Sequence, residues 1–348
     1  MLAYAFISLT YKPQSRVIRY VPFPFLMWVL FLLSATGFAA PDYYNYIHVL
    51  GMLEQYKGLL TIEPLYWGIA EIVGYKNYLF RFFILSIVYL SLNRFITKYS
   101  IDRNVTISIF ILLLFFSFSN IIRATLCDVV FYLGALSFLR KKTVGRGILL
   151  LSCSILAYFC HRSAFILFVP FLLCFIPISK SKRQLLFILY PLIGIIGVII
   201  TNFIFKSFFE DSSYSDGAGG DGSRSALISR FFQYVYWIGL IVIGIIKTKR
   251  YYKDRNLNGD LSRLFFWFGY IGLVLMLNPG SHYLFIRTIN HGCIPILLVI
   301  SNIFTTSSKI TRKWILAMLC LAVLSYQISF YLMTTYSIEL LNSNVYIN

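Results

Sequence analysis

The chain has 348 residues, of which 59% are hydrophobic, 18% aromatic and only 13% charged, too few charged groups to clothe a water-facing surface. Its mean hydropathy of +0.75 excludes a soluble globular domain and leaves an integral membrane protein. The formal net charge of +18 does not point to nucleic acid, because the cations fall in short connections between apolar stretches, where membrane topology accounts for them.

The first eleven residues, MLAYAFISLTY, are apolar but too short to cross a bilayer alone, and read as an interfacial piece or the tail of a span. No cleaved signal peptide is expected, since the basic residues follow the apolar stretch. A hydrocarbon core about 30 Å thick takes roughly 17–25 apolar residues per helix. Such stretches recur at 20–40, 78–97, 104–122, 124–139, 147–160, 163–178, 184–204, 226–246, 264–278, 284–304 and 314–335. No alternating pattern suggests a barrel. The expected fold is an all-α polytopic bundle of about 11–12 transmembrane helices, with residues 1–348 forming a single membrane domain.

Alternate connections are basic, among them Arg94, Lys98 and Arg103, then Arg140, Lys141, Lys142 and Arg146, then Lys180, Lys182 and Arg183. The positive-inside rule makes these the cytoplasmic side. The other set carries most of the acids. Residues 41–77 form a Tyr-rich outer loop with helix-length, moderately apolar pieces, expected to lie along the interface as short helices. Residues 206–225 form a Gly, Ser and Asp-rich outer loop expected to be mobile.

Several motifs fail on context. Gly217, Gly219 and Gly222 match G-x-G-x-x-G, but no strand precedes them and the loop faces away from cytosolic nucleotides. The acids of that loop lack the terminal Glu of a calcium loop. Cys127, Cys153, Cys160, Cys174, Cys293 and Cys320 lie in or beside apolar runs without CxxC spacing and read as small packing residues. No metal site or cofactor is expected.

What departs from the charge rule is a set of cations at or just inside the outer helix ends: Arg81, Arg123, His161 with Arg162, and Arg287. A basic group at a helix centre costs about 2.5–3.5 kcal/mol on insertion scales, and less near the ends. Snorkelling to headgroups explains any one of them. Several at a common depth suit a strongly anionic ligand, because guanidinium groups grip phosphate oxygens bidentately. Asp128, one turn inward from Arg123, reads as the only acid within a span, holding an arginine or making an internal ion pair. His161 is either a hydrogen-bonded structural residue or a proton-transfer group at the outer mouth of a helix pair. His48, His282 and His291 carry the same two readings. Asp42 and Glu63 sit beside aromatic residues, as sugar-gripping carboxylates do. Helix capping serves equally, with Pro64 suited to a helix start.

In order and spacing these features resemble the EpsG-like branch of the O-antigen polymerase type of bacterial polysaccharide polymerases. The resemblance lies in Asp42-Tyr43-Tyr44-Asn45-Tyr46, Glu63-Pro64, Asn120-x-x-Arg123, His161 with Ser163 and Ala164, and the late Arg287. Ala124 stands where that family carries Gln, and Arg162 where a small residue is more usual. The resemblance implies polymerisation of oligosaccharide repeat units on undecaprenyl pyrophosphate at the outer face of the bacterial cytoplasmic membrane. The growing chain would move from its lipid pyrophosphate to the non-reducing end of a new lipid-linked unit, without nucleotide. Catalytic roles then fall to His161, Arg123 and Arg287, and substrate binding to Asp42, Tyr43, Tyr46, Glu63, Arg81, Asn120, Asp128 and Arg162. Implied partners are the lipid-linked oligosaccharide, membrane lipid and a chain-length regulator, with no nucleic acid. An O-antigen ligase shares this chemistry and membrane plan, and a transporter or flippase of the lipid-linked unit shares the arginines, although no internal repeat supports transport. An acyltransferase would need a cytoplasmic donor site.

Overall fold

In the computed structural model, residues 2–10, 23–36, 50, 63–190, 192–193, 224–254, 256–276 and 282–345 are described. Every regular element among them is helical. The loop residues Asp42, Tyr43, Tyr46 and His48 and most of the 206–225 loop lie outside the described residues. Helix α1 spans Leu2–Thr10 and α2 Phe23–Ala35. They are followed by α3 (Pro64–Ile72), α4 (Asn77–Tyr99), α5 (Arg103–Leu113), α6 (Phe115–Asn120), α7 (Ile122–Arg140) and α8 (Val144–Cys160). One 3₁₀ turn, Arg162–Ala164, leads into α9 (Phe165–Leu173), and another spans Lys249–Tyr251. The remainder is α10 (Lys180–Ile188), α11 (Arg224–Thr248), α12 (Leu257–Met276), α13 (His282–His291), α14 (Cys293–Thr306) and α15 (Lys309–Val345).

Among the described residues, four helices are long and apolar enough to cross a membrane by themselves: Asn77–Tyr99, Ile122–Arg140, Arg230–Tyr251 and Leu257–Met276; α13 with α14 makes a fifth if the pair counts as one span. Of the other expected spans, that at 104–122 divides at Leu114 between α5 and α6, that at 147–160 falls within the 17 residues of α8, and those at 20–40 and 184–204 reach into residues outside the description. Large apolar side chains face outward from these helices, Leu90 at 70%, Leu151 at 62% and Leu172 at 66% exposure. That is the surface of a chain solvated by lipid, and the protein is a multi-pass membrane protein.

The residues cluster into two compact units, 1–169 with 293–320 and 170–292 with 321–348. In the first, α7 and α8 form an antiparallel hairpin through the short turn at 141–143. A Cβ on Gly134 would lie 2.8 Å from the Leu150 Cα, so only glycine lets the two backbones approach this closely, as small residues do between membrane helices. α4 and α14 pack against α7, α2 against α4, and α1 against α5. Asp102 starts α5 by accepting from Asn104 N at 2.9 Å and Val105 N at 3.2 Å, the usual remedy for unsatisfied amides at a helix start. Between α3 and α4 the chain reverses through Gly74 and Tyr75, at φ 64° and 58°, a left-handed turn in which glycine carries no steric penalty.

In the second unit, α12 packs against both α11 and α13. Its buried Arg263 and Asp260, 2% and 0% exposed, form an ion pair one helical turn apart. The guanidinium also donates to the carbonyls of Cys174 at 2.5 Å, and of Tyr252 and Asp254 at 2.7 Å each. This corrects an expectation: Asp128 is not the only acid within a crossing helix. α12 begins at Leu257 rather than 264 because the two charges neutralise each other inside it.

Candidate functional site

The site is built around Glu63. Pro64 occupies the first turn of α3, where its missing N–H and fixed φ suit a helix start. Glu63 is therefore the residue before the helix, yet its side chain makes no capping hydrogen bond. Instead it turns toward two other helix ends. One oxygen accepts from Arg123 Nη1 at 2.9 Å, and the other is bonded to His161 Nδ1. Glu63 is 4% exposed and His161 8%, while the Arg123 side chain retains 23% exposure.

Helix lengths explain why Arg123 and His161 arrive at one level. Arg123 lies in the first turn of α7 and His161 follows the last residue of α8. At 1.5 Å per residue, Arg123 to Arg140 and Val144 to His161 each rise about 26 Å, so an antiparallel hairpin with a short turn brings its two ends together. His161 has extended backbone, φ −160° and ψ 125°, which interrupts the helix before the 3₁₀ turn. The break lets the imidazole point to Glu63 rather than continue along the helix surface. Tyr66, one turn on from Glu63, places its ring 5.9 Å from the Arg123 guanidinium carbon, within cation–π range. Tyr66 is fully buried and held edge-on by Trp67 and Phe80, each at 4.9 Å between centroids. The sequence reading did not single out Tyr66, although its i+3 position from Glu63 puts it on the same helix face.

Burial pushes the Glu63 carboxyl up, but the His161 hydrogen bond, the Arg123 and His161 charges and the Arg162 backbone amide together hold it below its ordinary value. A carboxylate kept ionised only accepts hydrogen bonds, so His161 Nδ1 carries the donated hydrogen. Nε2 is then the ring nitrogen whose protonation can change while the bond to Glu63 is kept.

The other expected site residues are distributed as follows. Arg81 is fully buried and donates from Nη2 to the carbonyls of Ser34 at 2.9 Å and Ser119 at 3.0 Å, joining the last turns of α2 and α6, where carbonyls lack helical partners. Ser34, Tyr89 and Ser119 hydroxyls extend this network at 2.6–2.7 Å. Asn120 closes α6. Asp128 is buried in α7, with the Cys293 thiol 3.9 Å from its carboxylate. Arg162 opens the 3₁₀ turn and is exposed. Arg287 is half-buried on α13 of the second unit, and His291 is buried at the end of that helix. His282 begins it. All six cysteines are free thiols, five of them buried.

The structure thus brings together Glu63, Arg123 and His161, separated by 60 and 98 residues from Glu63. A family model matches residues 20–346, that of the EpsG family. Neither the curated proteins nor the solved structures contain a match.

Proposed function

The chain belongs to the EpsG family, and from that premise we propose that it polymerises lipid-linked oligosaccharide repeat units. The growing chain moves from undecaprenyl pyrophosphate to a hydroxyl at the non-reducing end of an incoming unit. The reaction runs on the periplasmic side of the bacterial inner membrane. The observation that carries this reading is the Glu63 carboxylate bonded to both His161 and Arg123 at the ends of α7 and α8. These are the ends opposite the cations Arg140, Lys141 and Lys142, and by the positive-inside rule they face outward.

In this mechanism the acceptor hydroxyl gives its proton to His161 Nε2 as its oxygen bonds to the anomeric carbon of the donor. The bond from that carbon to the pyrophosphate oxygen breaks, and undecaprenyl pyrophosphate leaves with the electron pair. Glu63 fixes the imidazole orientation and stabilises the imidazolium that forms, a role distinct from gripping sugar. Arg123, oriented by Glu63 and Tyr66, meets the negative charge on the leaving group; Arg287 is the further pyrophosphate contact that the family resemblance implies. Such preorganised charge acts without a metal ion. Asp42, Tyr43 and Tyr46 position the acceptor sugar, and a chain-length regulator is the further partner. Arg81 and Asp128 support the helix ends from which the site is built.

A deletion strain tests the reading directly. Loss of the chain is expected to leave a single repeat unit on the surface lipid. Surface lipid carrying no repeat at all would identify a ligase or a flippase instead.

A further inference from the structure

We propose that the cytoplasmic end of the first unit holds an anionic phospholipid, its phosphate headgroup bound between α4 and the α7–α8 turn by Arg94, Lys98, Arg140 and Arg146. The positive-inside rule accounts for cations in these connections, but not for their convergence. α4 packs against α7 and α7 against α8, so Lys98 and Tyr99 at the end of α4 approach Arg140 at the end of α7 and Arg146 at the start of α8. The charges of Arg94, Arg140 and Arg146 act on both. Arg94 and Lys98 are themselves one turn apart on one helix face, where like charges repel.

Among the described residues no acid offsets this repulsion, and no carboxylate pairs with any of the four cations. Asp102, the nearest acid in sequence, has its carboxylate turned to the amides of α5. Arg94, Lys98 and Arg140 are exposed, and Arg146 is half-buried with one Nη donating to the Ser137 carbonyl at 3.0 Å. A concentration of positive charge held on rigid helix ends is complementary to a phosphodiester.

The surroundings favour a lipid over a soluble anion. Leu90 lies one turn deeper than Arg94 on the same face and is 70% exposed; Leu149 lies one turn deeper than Arg146 and is 43% exposed. Each arm of the cluster therefore presents a charge at headgroup level and an apolar surface toward the acyl chains. A soluble acidic partner has no use for that second surface.

The test is thermal unfolding of the purified full-length chain in nonionic detergent, followed by intrinsic fluorescence. Added phosphatidylglycerol is expected to raise the midpoint by about 5 °C through binding to the folded state. Phosphatidylcholine, sn-glycerol 3-phosphate and polyglutamate are expected to leave it unchanged. In Arg94→Gln/Arg140→Gln, which retains the Arg146 bond to Ser137, the shift should vanish while the lipid-free midpoint holds. In Lys180→Gln/Lys182→Gln, equal in charge removed, the shift should persist. The proposal is overturned if the first variant keeps the shift or the second loses it equally. An equal shift with phosphatidylcholine would make the effect one of general lipid solvation. An equal shift with glycerol phosphate or polyglutamate would assign the patch to a soluble anion or an acidic protein.

Discussion

Two carboxylate–arginine pairs among the described residues, Glu63 with Arg123 and Asp260 with Arg263, are built to opposite ends. Arg263 directs four of its N–H groups at three backbone carbonyls and one carboxylate within its own unit. It has little capacity left for a ligand and ties the 252–254 connection and the end of α9 to α12. Arg123 gives one Nη to Glu63, rests against Tyr66 and remains about a quarter exposed. The carboxylate it uses is shared with a histidine. Arg263 is enclosed by the groups it binds, whereas the Arg123 side chain keeps part of its surface accessible.

That contrast is broken most severely by Arg263→Met. Removing one partner of a buried ion pair costs about 3–5 kcal/mol, and thermal unfolding in detergent should show the loss. Glu63→Gln is expected to do the reverse, reducing chain extension by roughly a hundredfold or more, the range for an impaired proton-transfer group. Its unfolding midpoint should fall by less than that of Arg263→Met, because the glutamine amide can still accept from Arg123 or His161. Repeat number on surface polysaccharide at matched protein level measures the first effect, and a normal ladder would remove Glu63 from the mechanism. Arg287→Lys sharpens the comparison further: it keeps charge but loses the planar fork, so shortened chains are expected, and normal long chains would exclude bidentate binding there. A smaller and purely structural effect, about 1–3 kcal/mol of lost stability, is expected for Gly134→Ala, whose new methyl meets the α8 backbone.

The smallest effect is that of pH. The Glu63 carboxyl is held below its ordinary value. The stability it contributes is therefore complete above the unfolded carboxylate range near about 4.3 and is lost only as pH falls through the lower folded value. Mild acid should leave the Glu63 bonds intact. An unfolding midpoint that begins to drop between pH 7 and 6 in the parent chain, but not in Glu63→Gln, would show the carboxyl raised instead.

Much of the helical plan was legible because lipid-facing and core-facing residues are both apolar, so a long apolar run is diagnostic whatever its orientation. Its ends were less so. The expected span at 104–122 divides at Leu114, where nothing in an apolar run distinguishes a break from a continuation. α12 starts seven residues before the expected 264 because Asp260 and Arg263 cancel each other, while a linear reading counts them as loop charges. At the site, the residue types singled out Glu63, Arg123 and His161, which the structure brings into contact. Their partnership was not legible, since contacts across 60 and 98 residues depend on where the α7–α8 hairpin ends. Glu63 in particular read as a cap or a sugar contact because Pro64 and the neighbouring aromatics suit both, and neither feature reveals which way the carboxylate turns.

The close backbone approach at Gly134 bears on biogenesis. α7 and α8 are consecutive in synthesis and can leave the translocon as a pre-packed pair, placing Arg123 and His161 side by side without help from later segments. Glu63 has by then already been made. The polar centre is therefore complete before the last half of the polypeptide emerges, and a truncated nascent chain ending after α9 should already contain it.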